Sequence, residues 1–429
     1  MTKHPWTRPG GGAASSLVMP VRVPDVSINP VMSSLHLIPY LGHRQGGPVS
    51  SLAGLVGGLV ASGCAAAVGS VRRDDDGGPV PLDGRVGLMH SPSSLGRRFR
   101  WSRSLRRWAA AHPADVIHSH GVWTDVSRLA GQQARRRGAP HVLAPCGMLG
   151  PAGYSRGRLK KMQKRLCRLM FQDRVLSEAA CVHAKSLREL AELREFGVRG
   201  PVAVVPNPVQ RPPGDAPVDP GAFRRRFGLD EDTRLALYVG RLTPVKGVER
   251  LVDAWAGLGR AAERWRLVLA GPDEGGYRDV LRRRAEAMGC ASSVTFTGLL
   301  TGGATWSAYA AAELFVMPSR SENFGSAIAE ALTAGRPVIA TTGTPWPELR
   351  DEACGWWVEP DLDALREALT NALTCDPDAL AARGRAARRV AERFAPPAVA
   401  ATMIEVYRWV LGRGPRPDCV YVNSASADD

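Results

Sequence analysis

Short apolar runs recur along this chain, separated by longer segments in which apolar residues return every three or four positions. The short runs fit buried strands, and the longer segments fit helices packed upon them. In the first part of the chain the pattern predicts strands at Leu35–Tyr40, Ala65–Val71, Val86–Met89, Asp115–His118, His141–Ala144, Ala180–His183 and Val202–Val205. In the second part it predicts them at Leu235–Val239, Arg266–Ala270, Val294–Thr297, Leu314–Met317, Val338–Thr341 and Gly355–Val358. Helical spacing fills the intervals, most clearly over Gly247–Trp255, Tyr277–Met288 and Pro397–Leu411. Such alternation predicts an α/β fold built on parallel, doubly wound sheets.

The alternation breaks once, at Pro206-Asn207-Pro208-Val209 and the proline-rich residues that follow, which read as an interdomain linker. With 429 residues the chain exceeds the size at which one core keeps growing. The pattern therefore predicts a first domain over 33–208, a second over 209–396, a crossing helix over 397–411 and a flexible tail over 412–429. Residues 1–32 lack an apolar period and are expected to form a disordered extension, so that the run from Met32 reads like a start leading straight into the first strand. The longest uncharged run, Gln45 to Ser70, could raise the suspicion of a membrane span. It is broken by Gly54, Gly57, Gly58 and Gly63, and is expected to be a helix, a stop and a strand.

One strand–helix–strand unit, Glu313 to Thr341, concentrates the candidate chemistry. Glu322 lies in the loop that enters the helix and Glu330 eight positions later, inside it. The amides of Phe324, Gly325 and Ser326, with Asn323 before them, sit at a helix N-terminus, where unpaired N–H groups make an anion site. A carboxylate beside such a site suits a vicinal diol, so the unit can hold a phosphate and a sugar together. Upstream, the run Y-V-G-R-L-T-P-V-K-G places Gly240, Arg241 and Lys246 after a strand. A forked guanidinium and a compact ammonium at this spacing can meet one diphosphate, whose charge grows as a glycosidic bond breaks.

The two glutamates flanking an F-G turn, followed by A-x-G-x-P-V-I-A, and the G-R-L-x-x-x-K-G pattern ahead of them resemble the donor-site signature of retaining glycosyltransferases of family 4. The resemblance runs from about residue 33 to 411 and implies the GT-B fold, two Rossmann-like domains facing across a cleft. It implies transfer of a sugar from a nucleotide diphosphate sugar to a hydroxyl acceptor with retained configuration, without a metal or other cofactor. It places Glu330 on the ribose, Arg241 and Lys246 on the diphosphate, the Phe324–Ser326 amides on the distal phosphate and Glu322 on the donor sugar. Gly46 and Gly47 become the glycine loop near acceptor and donor phosphates, and His120, in D-V-I-H-S-H-G, a contact to donor sugar or acceptor. His118, alternating with it, is expected to point into the sheet packing. The runs H-V-L-A-P-C-G-M-L-G-P and T-T-G-T-P-W-P-E-L are similar to members that build exopolysaccharide or lipopolysaccharide, which implies a glycan or lipid-linked acceptor. Where the family shows P-N-G-V, this chain has Pro208, which is expected to stiffen the hinge.

Other readings stay open on sequence alone. Glu322 and Glu330 could be the acid/base pair of a glycosidase, although a hydrolase has no use for the phosphate cradle. A GT-B epimerase or phosphorylase would carry the same donor site, and a silent nucleotide-sugar-binding protein would keep it without turnover. Asp74-Asp75-Asp76 could suggest a metal motif, but it stands between Arg72-Arg73 and Gly-Gly-Pro, as a solvated loop does. Eight scattered cysteines without a C-x-x-C pair support neither a zinc site nor a disulfide framework and suit a reducing cytoplasm.

The net charge of +15 adds an attraction to anionic surfaces. It gathers in two basic stretches, Arg97–Trp108 and Arg156–Arg174, the latter with Lys160, Lys161, Lys164, Arg165 and Arg168 beside Leu159, Met162, Leu166, Leu169 and Met170 at helical spacing. Such a helix suits the interface of an anionic membrane, which predicts a peripheral attachment to its cytoplasmic face; the plainer reading packs its apolar side on the sheet. No nucleic-acid-binding module accompanies the charge, so no nucleic acid partner is expected.

Overall fold

The computed structural model describes residues 32–42, 47–72, 79–94, 100–151, 158–209 and 217–423. The first half is an eight-stranded sheet in the order β14-β7-β6-β5-β4-β1-β2-β3. Its strands are β1 Ser33–Ile38, β2 Ala65–Arg72, β3 Gly87–Pro92, β4 Val116–His120, β5 His141–Ala144, β6 Cys181–Ala184, β7 Val202–Val204 and, far later in the chain, β14 Val420–Tyr421. The second half is a six-stranded sheet in the order β10-β9-β8-β11-β12-β13. It is made by β8 Arg234–Val239, β9 Trp265–Ala270, β10 Val294–Gly298, β11 Leu314–Met317, β12 Val338–Thr341 and β13 Gly355–Val358. Apart from the antiparallel β14, the named strand pairs are parallel, and strands such as β4, β5 and β11 are buried along their whole length. Burial on both faces is why these segments read as unbroken apolar runs rather than as alternating ones.

Strand order reverses between β1 and β4 in the first half and between β8 and β11 in the second. Open α/β sheets bind ligands beyond the carboxyl ends of the strands at such points. The two Rossmann-like halves, facing across a cleft, form the GT-B fold.

Helix Gly47–Ala61 and helix Pro396–Val410 lock the chain's end onto its beginning. Their closest approach is at Gly58, where a Cβ would stand 2.4 Å from the Pro396 carbonyl oxygen and 2.9 Å from Ala400 Cβ. Glycine is needed there for close backbone approach. Leu55 and Leu59 share one buried cluster with Val399, Ala400, Met403, Tyr407 and Val420.

The tail departs from expectation. Val420 and Tyr421 pair antiparallel with Ala203 and Val202, Val204 N donates to Cys419 O at 2.8 Å, and Arg194 grips the Tyr421 carbonyl at 3.0 Å. Strand β7 would otherwise present a bare edge, and a short apolar pair within a polar segment suffices to cover it. The expected extension 1–32 lies outside the described residues except for Met32, which is buried.

Candidate active site

The second half builds its crevice from glycines and paired charges. Near the end of strand β8 stands buried Tyr238, whose hydroxyl donates to the Arg241 carbonyl at 2.9 Å. Gly240 and Gly271 cross so closely that a Cβ on Gly271 would lie 1.8 Å from the Gly240 oxygen. The chain then makes a tight turn over Pro244–Lys246 and leaves it through Gly247, in the left-handed region at φ 66°. A Cβ on Gly247 would stand 2.2 Å from the Pro318 carbonyl, so only glycine lets this turn meet the loop after β11. That approach presses the Lys246 ammonium onto the Glu322 carboxylate. Ser319 completes the pair by donating to Glu322 Oε1 at 2.7 Å.

Helix Ser326–Thr333 starts from Gly325, at φ 82°, and no side chain caps its first N–H groups. The Phe324 ring beside them is buried against Trp346 and Phe394, at 5.2 and 5.8 Å between centroids. Trp346 also donates its indole N–H to the Phe324 carbonyl, which pins the helix entry from behind. One turn further in, Glu330 Oε2 accepts from the Tyr309 hydroxyl at 2.8 Å. Desolvation pushes the Glu330 carboxyl up to about 7, against the pull of the Tyr309 hydrogen bond. Arg241, by contrast, is half exposed and bound to Glu274 at 2.6 Å, so the two expected phosphate cations point to different carboxylates.

Across the cleft, β1 and β4 set His36 beside His118 in register. His118 and His120 lie two residues apart in β4 and therefore on one face, with rings stacked at 4.3 Å between centroids. This corrects the expected alternation: β4 extends through His120, and both imidazoles enter the same buried network. His183 Nε2 lies 2.8 Å from the Val205 carbonyl and so carries the proton; its Nδ1 accepts from His118 Nε2 at 3.2 Å. His118 Nδ1 then accepts from the Tyr407 hydroxyl at 2.7 Å, and His36 joins His120 at 3.1 Å. Lys185 Nζ lies against the His183 ring, 3.0 Å from Nε2. Burial holds His118, His120 and His183 well below the ordinary imidazole range, and His36 at about 3. The ligand atoms of His36, His118 and His120 lie within 4.8 Å of one another. His36 and His120 bind each other, His118 engages Tyr407 and His183, and Lys185 adds positive charge, so the set fits a structural network better than a cation.

The two helix N-termini converge. A Cβ on Gly47, the first residue of helix Gly47–Ala61, would lie 3.6 Å from Ser326 Oγ. Asn207 of the linker bridges the same two elements, accepting from Ser51 Oγ at 2.7 Å and donating to Ser326 Oγ at 3.5 Å. Gly46 and Asp74–Asp76 lie outside the described residues. Asn207, Tyr309, Ser319, His36, His183 and Lys185 were not singled out by sequence; for His36 and His183 the signal is adjacency across strands, which emerges only with strand order.

The fold and its crevices define a GT-B glycosyltransferase. Residues 46–208 match the "Glycosyl transferase 4-like domain" and residues 221–390 match "Glycosyl transferases group 1". A D-inositol 3-phosphate glycosyltransferase of Thermobispora bispora is 32% identical over 332 residues, covering 75% of this chain and 77% of that protein. A namesake from Segniliparus rotundus is 30% identical over 257 residues, a match that spans 58% of this chain and just over half of the relative, 56%. Among solved structures, sucrose-phosphate synthase from Thermosynechococcus elongatus superposes with a TM-score of 0.69 at 23% identity, covering 89% of this chain and 99% of that one. Anabaena HepE, solved with UDP and glucose, gives 0.66 at 19% identity over 87% of this chain and 99% of its own. The chain belongs to the family 4 type of glycosyltransferases.

Proposed function

We propose that this protein moves a sugar from a nucleoside diphosphate sugar to a hydroxyl acceptor, with retention of anomeric configuration and without a metal. The observation that supports it most is the Lys246–Glu322 pair beside the uncapped start of helix Ser326–Thr333, with Glu330 one turn inside. In this reading the amides of Phe324, Gly325 and Ser326 and the cations of Lys246 and Arg241 take the diphosphate, Glu330 takes the ribose diol and Glu322 orients the donor sugar. The sugar C1–O bond breaks as the diphosphate leaves, the acceptor oxygen bonds C1 from the same face, and the hydroxyl proton passes to the departing phosphate oxygen. Fixed cations matter most at that point, since negative charge grows there. His120 is uncharged near neutrality and so suits a hydrogen bond to a sugar hydroxyl. HepE, solved with UDP-glucose, supports a donor of this class.

The acceptor we propose is a glycan or lipid-linked precursor of exopolysaccharide or lipopolysaccharide, met at the cytoplasmic face of a membrane. WaaG, a glycosyltransferase involved in lipopolysaccharide biosynthesis, is similar in fold, with a TM-score of 0.62 at 19% identity over 88% of this chain. No helix among the described residues is long and apolar enough to cross a bilayer. Helix Arg158–Cys167 and the π-helical turn Arg168–Gln172 behind it nevertheless turn an apolar stripe outward: Met162, Leu166, Leu169 and Met170 are 65%, 55%, 84% and 57% exposed. Cys167 and Phe171 face inward instead, so the stripe does not pack on the sheet. Exposed Lys161 and Arg165 flank it, which suits anionic headgroups. In the other basic stretch, Arg100 is buried on the Pro39 carbonyl and Arg106 is paired to Asp125.

The test is a calorimetric screen of nucleotide sugars followed by transfer assays with excess EDTA. A bound donor and chelator-resistant transfer are expected. Transfer abolished by EDTA and restored by Mn²⁺ would overturn the fixed-cation mechanism. Glu330→Ala should mainly weaken donor binding and Glu322→Ala mainly lower turnover; equal, small effects would remove the donor-site reading.

A further inference from the structure

The donor loop is held from the other side of the cleft by groups that the transfer chemistry does not use. Ser186 caps helix Leu187–Phe196, with its Oγ accepting from Glu189 N at 3.2 Å. The same hydroxyl donates to the carbonyl of Asn323, the residue after Glu322, at 2.9 Å. The buried Glu189 carboxylate accepts from Lys185 N at 2.7 Å and from Gly147 N at 2.6 Å, and the Asn323 side chain adds a further hydrogen bond. Gly147, at φ 74°, is pressed so close that a Cβ would stand 3.0 Å from Asn323 Cβ. Arg188 donates to the Gly343 carbonyl at 2.8 Å, and Glu322 N donates to that same oxygen at 2.9 Å. The start of one helix in the first half thus meets, in the second, the carbonyl of the residue after Glu322 and the carbonyl that accepts the Glu322 N–H. Three donors converge on Glu189, which is why an acceptor-only carboxylate fits and an amide would set N–H against N–H.

We infer that Ser186 and Glu189 are positioning residues that set the Glu322 loop only when the two halves close upon each other, so that cleft closure and assembly of the donor-sugar contact are one event. The inference rests on the donor-site reading above. Asn323, expected at the donor, serves here as the strike plate of this latch, while the ribose and diphosphate groups Glu330, Lys246 and Arg241 belong wholly to the second half. Loosening the latch therefore separates binding from turnover. A displacement of about an ångström at a reacting centre is enough to cost on the order of a hundredfold in rate.

The test uses the full chain with Glu189→Gln, Ser186→Ala and Ser186→Thr, UDP-glucose being the first donor tried. The alanine and glutamine variants should lose about tenfold to a hundredfold in kcat. Their donor Kd should stay within threefold of the parent, and threonine, which keeps the hydroxyl, should restore most of the rate. Hydrogen exchange on ligand-free protein should show residues 319–326 losing protection, with β1, β4 and β5 unchanged. That arm reads the latch even if no nucleotide sugar binds, in which case the donor reading fails alone. Unchanged protection over 319–326, an equal fall in kcat and donor affinity, or threonine as poor as alanine would each overturn the positioning role.

Discussion

At the switch point between β1 and β4 the first half packs imidazoles that hydrogen-bond one another, whereas between β8 and β11 the second half presses an ammonium against a carboxylate. Both crevices arise from the same reversal of strand order. What differs is how each accommodates polar groups away from water. Neutral rings linked by single protons need little solvation, and they make a surface able to read hydroxyls. A salt-bridged pair keeps full charges in reserve, available when a charged substrate displaces one partner. Topology chooses the place for chemistry, and residue type then divides the labour between phosphate and hydroxyl.

The contrast is most sharply broken or upheld by removing charge. Lys246→Ala should lower kcat about a hundredfold or more, since one fixed charge donor of this kind is worth on the order of 3 kcal/mol in the transition state. Steady-state kinetics should show His120→Ala losing only about tenfold, the weight of one neutral hydrogen bond. A reversal of that ranking would mean that the neutral crevice, and not the charged one, carries the chemistry.

Acid should distinguish the halves next. His36 titrates at about 3 in the folded chain against about 6.5 unfolded, and burial lowers His118, His120 and His183 well below the ordinary imidazole range as well. The unfolded chain therefore binds more protons once pH drops below 6.5, and stability falls as pH falls, fully present above 6.5 and declining toward 3. The slope is about 1.4 kcal/mol per pH unit for each such histidine. Hydrogen exchange between pH 6.5 and 4.5 should show the first sheet losing protection before the second; simultaneous loss would erase the distinction.

Donor affinity should answer to the second half alone. With Glu330 held at about 7, its carboxyl is protonated at pH 6 and ionised at pH 8, and only the anion accepts both ribose hydroxyls. Calorimetry should find donor binding tighter by about tenfold across that interval, the full range of one proton. Glu330→Gln should flatten the profile, and a slope that persists in this variant would point to another titrating group.

The smallest effect on turnover should come from the outward stripe. Leu166→Gln with Leu169→Gln, or Lys161→Gln with Arg165→Gln, should abolish co-sedimentation with anionic liposomes while leaving transfer to a soluble acceptor within about twofold, as surface changes usually do. Parent binding should fall steeply as salt shortens the Debye length from about 10 Å at 0.1 M to about 3 Å at 1 M. Attachment indifferent to salt and lipid charge would show insertion without electrostatics.

Much of this was legible from the chain. Strands β5, β11, β12 and β13 fall where their apolar runs predict, and the first three are buried throughout, which leaves no polar alternation to confuse their ends. The places of Glu322 before a helix entry and of Lys246 in a glycine turn were legible too, since both are local signals. Tyr309, His183 and Glu189 were not, because each owes its role to a partner far away in sequence. Nor was the separation of Arg241 from Lys246 visible: spacing brings two cations within reach of one point, while Glu274, on the loop after β9, decides where the guanidinium rests. The tail was misread for the reverse reason, since Val420 and Tyr421 are too short a run to stand out until β7 offers an edge.

The seam at Gly58 also bears on the order of events during synthesis. Leu55 and Leu59 emerge from the ribosome more than three hundred residues before Val399, Met403 and Tyr407, the side chains that cover them. His118 likewise waits for the Tyr407 hydroxyl, and β7 for β14. The half that is translated first is therefore the half completed last: it emerges with an open apolar flank, and the second half, which needs no later segment, can close its core while the first still awaits its final helix.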